Sequence, residues 1–141
     1  NQGQKILPIF KKLVITLSLI SIVPFSLIFF FGGDLFAFVF GEEWRESGRF
    51  SEILVPWFML NFISSPITTL PVILRRQVSF FKLALFGSLL MILAIFIPAW
   101  VFKTDIHITL WTLSLTMTGY LVFLIFNIFS YAKEFNLKIT N

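Results

Sequence analysis

The chain has 141 residues, of which 57% are hydrophobic and 13% are charged, and its mean hydropathy is +0.92. An ordinary soluble domain is roughly 45–50% apolar and about 25% charged, so this composition excludes a water-soluble domain and indicates a membrane protein. The formal net charge of +4 does not indicate nucleic-acid binding, because the basic clusters alternate with apolar blocks as cytoplasmic loops do. The chain has no cysteine, which excludes disulfides and thiolate metal ligands.

Four uncharged runs have the length of transmembrane helices, at about residues 13–31, 53–74, 83–102 and 108–131. The first run contains 19 residues, which just cross a hydrocarbon core of about 30 Å at about 1.5 Å per residue. We therefore predict an all-α, polytopic membrane protein with four transmembrane helices, in which residues 1–141 form a single membrane-embedded fragment.

Prolines inside these runs predict helix bends. Pro24 lies in the first run, and the second run contains Pro56, Pro66 and Pro71. The polar residues between these prolines are Asn61, Ser64, Ser65 and Thr68. We expect the second helix to be bent or locally unwound, and two interpretations of its polar groups stay open. They could form hydrogen bonds between helices, or they could line a water-filled cavity together with freed carbonyl groups, as in discontinuous transporter helices.

Basic residues are distributed unevenly between the two sides of this topology. Eight lie before the first span, between the second and third, or after the fourth, whereas the other two connections contain three. The positive-inside rule therefore predicts that both ends of the chain and the loop with Arg75, Arg76 and Lys82 are cytoplasmic. Tyr120 lies in the middle of a span and is expected to face protein or a cavity.

The charged segment 40–50, FGEEWRESGRF, lies on the predicted outer side between the first two spans. Gly41 is expected to end the first helix, and three glutamates then fall in the first turns of a new helix, where the helix dipole favours acids. We predict a short interfacial helix near 42–52 that runs into the second span. Trp44 and, further along the chain, Trp57 are expected to anchor at the interface.

No residue pattern in the chain indicates an enzyme. His107, the only histidine, lies beside Asp105 in a short predicted loop and is best explained as solvent-exposed. The sequence contains no phosphate-binding glycine loop, no metal-ligand cluster and no pair of intramembrane carboxylates. We predict no catalytic residue, no metal and no cofactor.

A stripe of small residues marks the fourth span. Its members recur every three to four positions and are Thr109, Thr112, Thr116 and Gly119. That spacing places them on one face of a helix, where small residues allow helices to approach closely. We interpret the stripe as a packing surface.

A longer set of spaced residues begins in the charged segment and continues through the second span. It consists of Phe40-Gly41-Glu42-Glu43-Trp44, Ser47-Gly48, Leu54-Val55-Pro56-Trp57, Phe62-Ile63-Ser64-Ser65-Pro66-Ile67, and Leu74 with Arg76-Gln77. In these residues the chain resembles the C-terminal lobe of bacterial polysaccharide flippases, which transport O-antigen and exopolysaccharide units. They belong to the superfamily of multidrug, oligosaccharidyl-lipid and polysaccharide exporters. The resemblance covers essentially the whole chain.

The resemblance implies two helical lobes around a central cavity that opens alternately to either face of the inner membrane. It implies translocation of undecaprenyl-pyrophosphate-linked oligosaccharide from the cytoplasmic to the outer leaflet, for surface polysaccharide synthesis. A cationic cavity for the pyrophosphate is also implied, with its residues in helices that precede this chain. The four spans would then be the last four of a longer transporter, an expectation that fits the start of the chain at Asn1 without a methionine.

The expected partners are the lipid bilayer, the lipid-linked oligosaccharide and the remaining N-terminal transmembrane helices. The candidate cavity residues are Asn61, Ser64, Ser65 and Thr68. Two other functions stay open at this point. One is a cation-coupled drug exporter of the same superfamily, which would need an intramembrane carboxylate. The other is a free-standing four-helix membrane protein with a structural or assembly role.

Overall fold

The structure of the protein is a computed structural model that describes residues 6–73 and 75–140. Leu74, the last residue of the predicted second span, lies outside the described residues. The regular elements of the described part are all helical, which confirms the all-α part of the predicted fold class.

Five α-helices form the described chain. Their bounds are α1 Ile6–Phe40, α2 Arg45–Ser64, α3 Leu70–Ile73, α4 Gln77–Phe96 and α5 Ile106–Thr140. Short 3-10 turns at Glu42–Trp44 and Ile67–Thr69 precede α2 and α3, respectively. A π-helical turn, Ile97–Val101, extends α4, and its second residue is Pro98, whose ring lacks the N–H that a regular helix requires.

Successive long helices run in opposite directions, and α5 packs against α1, α2 and α4. One end of the bundle, which we name the basic end, contains residues 6–12, 75–82 and 130–137. The opposite end, named the acidic end, contains residues 32–52 and 102–107 and holds six of the seven acids of the chain. The charges are therefore separated along the axis of the bundle, with uncharged helix between them.

Three helices of the described part are long and apolar enough to cross a membrane, over Ile6–Phe40, Gln77–Val101 and Ile106–Leu137. The predicted count of four is not confirmed, because α2 has charged residues in its first two turns and ends at Ser64. Its uncharged part, residues 53–64, covers about 18 Å, which is shorter than a hydrocarbon core of about 30 Å.

The first predicted span is longer in the structure, since helix α1 covers Ile6–Phe40 with a kink at Phe31. Phe31 has non-helical torsion angles, φ −135° and ψ 17°, whereas the helix continues through Pro24. Gly41 ends α1 as predicted: its φ is +106° and its N–H donates to the Ala37 carbonyl at 2.9 Å.

The helix predicted near 42–52 is present, and it runs directly into α2 as expected. Residues 42–44 form a 3-10 turn, and residues 45–52 are the first turns of α2. The N–H of Trp44 donates to the Gly41 carbonyl at 3.0 Å, so the chain reverses over four residues and enters α2 directly.

Two apolar clusters form the core. The larger one joins α1, α2, the second 3-10 turn, α3 and α5 and consists of Phe10, Ile63, Ile67, Leu70, Leu121, Leu124 and Ile128. The smaller one joins α4 and α5 and consists of Ala94, Leu113 and Met117. Trp57 and Tyr120 contact both clusters, so Trp57, expected as an interface anchor, also packs into the core.

Tyr120 faces protein in the middle of α5, and its hydroxyl donates to the Leu83 carbonyl at 3.0 Å. Its ring lies against Gly87 of α4, where an added Cβ would be 2.5 Å from the tyrosine hydroxyl oxygen. The prediction that Gly119 allows close packing is wrong, since a Cβ there would have no neighbour within 4 Å. The glycine that lets α4 and α5 approach is therefore on the opposite helix.

Candidate functional site

The interruption between α2 and α3 lies in the predicted proline cluster. Helix α2 ends at Ser64, the N–H of Ser65 donates to the Asn61 carbonyl at 2.9 Å, and Pro66 then begins the 3-10 turn. Pro56 lies inside α2, which continues past it, and Pro71 is fully buried in α3. Pro66 is therefore the proline at which the regular helix stops.

The four candidate cavity residues do not share one environment. Asn61 and Ser65 are exposed, Thr68 is half-buried and Ser64 is buried. The hydroxyl of Ser64 donates to the Asn61 carbonyl at 3.2 Å, and that of Thr68 donates to the Ser65 carbonyl at 2.7 Å. Ser64 and Thr68 thus stabilise the backbone of the interruption, whereas Asn61 and Ser65, four residues apart, present polar groups on one outer face.

At the basic end, the chain leaves α3 through a left-handed residue, Arg75, with φ +54°. The N–H of Arg76 donates to the Pro71 carbonyl at 2.8 Å. A left-handed residue followed by this six-residue hydrogen bond is a Schellman motif, which usually has glycine at the left-handed position. The motif turns the chain sharply from α3 into α4 and leaves both the Arg75 and Lys82 side chains exposed.

Arg76 ties the connection between α3 and α4 to α5. One guanidinium nitrogen, Nη2, lies 2.7 Å from each carboxylate oxygen of Glu134, and the guanidinium carbon lies 5.6 Å from the centre of the Tyr131 ring. The N–H of Ile6 donates to Asn136 Oδ1 at 3.0 Å, which attaches the start of α1 to the same helix. Arg76, one of the basic residues that the sequence predicts on the cytoplasmic side, therefore has a structural role.

At the acidic end, Arg45 forms ion pairs with Glu42 and Asp34. The guanidinium hydrogen-bonds both Glu42 carboxylate oxygens, at 2.7 and 2.8 Å. These bonds lower the pKa of Glu42 and, together with the contact to Asp34, raise the pKa of Arg45. Trp44, the expected interface anchor, is half-exposed and its ring centre lies 5.9 Å from that of Phe40.

A cavity of about 370 Å³ opens at the acidic end, where α1, α2 and α5 meet. Its lining consists of Gly33, Asp34, Arg45, Arg49, Glu52, Ile53 and His107. Inside it the Gly33 N–H donates to Glu52 Oε1 at 2.8 Å. The carboxylate of Glu52 therefore satisfies a backbone donor next to the kink in α1.

His107, which the sequence predicts to be solvent-exposed, has 44% of its side chain exposed in the structure and also connects α5 to α2. Its Nε2 lies 3.4 Å from Glu46 Oε1, and its ring contacts Phe50 edge-on at 5.4 Å between centres. Sequence reasoning missed this contact because the two residues are far apart in the chain. The only available signal was that the acids of segment 40–52 and the single histidine fall on the same predicted side.

A close backbone contact joins Gly48 of α2 to the glycine pair after the kink in α1. A Cβ added at Gly48 would lie 2.6 Å from the carbonyl carbon of Gly32 and 2.7 Å from the Cα of Gly33. Both segments belong to the corner between α1 and α2. Comparison of the chain with protein-family models, with curated proteins and with solved structures found no match.

Proposed function

We propose that this chain is the C-terminal, membrane-embedded part of a transporter that flips undecaprenyl-pyrophosphate-linked oligosaccharide across the bacterial inner membrane. The observation that carries the proposal is the corner between α1 and α2. Gly41 and Gly48 are among the residues in which the sequence resembles the polysaccharide flippases. Gly41 has a φ of +106°, and Gly48 has no room for a Cβ. Both motif positions therefore have a physical requirement for glycine.

In the proposed topology four segments cross the membrane, and α2, the second 3-10 turn and α3 together form the second crossing. Residues 53–73 carry no charge and would cover roughly 30 Å if helical throughout. The basic end faces the cytoplasm, in line with the positive-inside rule. The acidic end, with its glutamates and Trp44, faces the outside.

The proposed mechanism is alternating access of two helical lobes, with the interruption at Pro66 as the flexible part of this lobe. Asn61 and Ser65 supply neutral polar groups to a cavity that the remaining helices complete. Discontinuous helices serve this purpose in transporters because the interrupted backbone can change shape without breaking a continuous hydrogen-bond ladder. Ser64 and Thr68 support the interruption through their bonds to nearby carbonyl groups.

The function can be tested by disrupting the gene in its source bacterium and restoring it with the full-length protein. We expect surface polysaccharide to be lost, the lipid-linked oligosaccharide to accumulate in the cytoplasmic leaflet, and both effects to reverse on complementation. Unchanged surface polysaccharide would reject the proposal. Increased drug sensitivity with intact polysaccharide would instead favour a drug exporter.

The role of the interruption is tested by Pro66→Ala in the full-length protein, with export of polysaccharide measured at equal protein level. We expect reduced export, because alanine restores the missing N–H and favours a continuous helix. Pro24→Ala is the matched control, since α1 already continues through Pro24. Equal export by Pro66→Ala and the unmodified protein would remove the interruption from the mechanism.

A further inference from the structure

An apolar groove of about 420 Å³ runs between α1 and α5, next to the basic end. Its apolar walls include Val14, Ile15, Val122, Ile125, Phe126 and Phe129. The ring of Phe129 contacts that of buried Phe10 at 5.8 Å between centres, and both residues line the groove. The groove contains almost no polar surface.

The length of the groove fits a hydrocarbon chain that stays within one leaflet. From Val122 to Phe129 the wall of α5 is about 10 Å long, which lies within the roughly 15 Å that one leaflet contributes to the hydrocarbon core.

Cations flank the groove where it meets the basic end. Lys11 lies in its wall on α1, and Lys133 follows Phe129 by one turn of α5. Both lysines are exposed, as is Lys12, and within the described part of the chain none of the three forms an ion pair. They differ in this from Arg76 at the same end, which is paired with Glu134.

We propose that this groove binds one acyl chain of an anionic phospholipid in the leaflet at the basic end, with the lipid phosphate held by Lys11 and Lys133. The apolar walls favour a hydrocarbon chain, and unpaired lysines next to it favour a negatively charged headgroup over a zwitterionic one. The length of the groove suits a chain confined to one leaflet. The lipid site does not depend on the transport function proposed above.

The experiment uses the absence of cysteine from the chain. A single Val122→Cys variant of the full chain is labelled with a small thiol-reactive fluorophore and reconstituted in phosphatidylcholine vesicles with increasing phosphatidylglycerol. Either lipid is supplied with brominated acyl chains, which quench fluorescence on contact. We expect quenching of the label to show that phosphatidylglycerol has a roughly tenfold higher affinity than phosphatidylcholine for the site beside it.

Leu89→Cys on α4 provides the matched label position, because Leu89 and Val122 are 54% and 55% exposed and Leu89 lies outside the groove. We expect little preference between the two lipids there. In the Val122→Cys protein, the double change Lys11→Gln with Lys133→Gln should abolish the preference. Arg75→Gln with Lys82→Gln, which removes two other exposed cations of the basic end, should preserve it.

Three outcomes would overturn the proposal. Equal quenching by the two lipids at Val122 would show that no headgroup is selected. Absence of quenching by either lipid would show that protein covers the groove. Equal loss of preference in the two double variants would assign the effect to general surface charge and not to this site.

Discussion

Gly48 of α2 and Gly32 of α1 bring two helix backbones into direct contact at the acidic end. A Cβ added at Gly48 would lie 2.6 Å from the carbonyl carbon of Gly32, a distance that requires one backbone to move. Overpacking of this kind costs about 1–3 kcal/mol. We therefore expect Gly48→Ala to lower the free energy of unfolding by about that amount, measured by denaturant titration in mixed micelles followed by circular dichroism.

Gly119→Ala is the control for this prediction. Gly119 also lies inside a helix, but a Cβ there has no neighbour within 4 Å. Alanine should therefore be neutral or stabilising by up to about 1 kcal/mol, because it is the better helix former. If the two alanine variants had the same unfolding free energy, the close approach of α1 and α2 would be refuted.

Gly87 and Tyr120 should be energetically coupled. Gly87→Ala would place a Cβ 2.5 Å from the Tyr120 hydroxyl oxygen and 2.6 Å from its Cε1, so we expect a loss of about 1–3 kcal/mol in unfolding free energy. In a Tyr120→Leu background the obstacle is absent, and the same glycine change should cost little. A double-mutant cycle measures the coupling, and strictly additive effects would contradict it.

The hydroxyl of Tyr120 makes a smaller contribution that can be measured separately. Tyr120→Phe removes the hydrogen bond to the Leu83 carbonyl at 3.0 Å and keeps the ring. Hydrogen bonds of this kind between membrane helices contribute about 0.6 kcal/mol on average, and we expect a destabilisation of that size. A loss as large as that of Gly87→Ala would mean that the hydroxyl, and not the ring, controls the packing of α4 on α5.

Arg75 adopts a left-handed conformation, φ +54°, that costs a residue with a Cβ roughly 1–2 kcal/mol. Arg75→Gly should therefore have a higher unfolding free energy than Arg75→Ala, by roughly 1 kcal/mol. Both variants lose the same charge, so their difference isolates the backbone term. Equal stability of the two would argue against the Schellman motif at the end of α3.

Glu42 should contribute to stability in a pH-dependent manner. Hydrogen bonds from Arg45 lower its pKa from the ordinary value of 4.5, so its stabilising contribution is present above that pH and is lost as the pH falls through the lowered pKa. We expect Glu42→Gln to reduce the dependence of unfolding on pH below about 4.5. Arg45→Gln, which removes the donors to Glu42, should reduce that dependence as well, and an undiminished dependence in Glu42→Gln would contradict the prediction.

Parts of the fold could be predicted from local sequence. The apolar runs gave the α-helical class, because a membrane core accepts only backbones that satisfy their own hydrogen bonds. Gly41 could be assigned as a helix end from its type and position, and the cluster around Pro66 predicted the interruption of the second span. Each of these features depends on residues within a few positions of one another.

The ion pairs at the two ends of the bundle were harder to predict, because they join distant parts of the chain. The pairs Arg76–Glu134 and Glu46–His107 are separated by 58 and 61 residues, and no local pattern indicates either. The stripe that ends at Gly119 was assigned to packing from its spacing alone, although the structure uses Gly87 for the close approach. Spacing identifies which residues share a helix face, but not which face meets a neighbour.

The sequence by itself determined that the chain is helical, apolar and divided into a basic and an acidic end, because composition, hydropathy and charge order are properties of the linear chain. Only the tertiary structure decided that Gly48 lies against Gly32, that Tyr120 fills the space beside Gly87, and that α1 and α5 form a groove near Lys11. Those relationships depend on the rotation of each helix about its axis. That rotation is set by the fit of side chains between helices, which the pattern of a single helix does not specify.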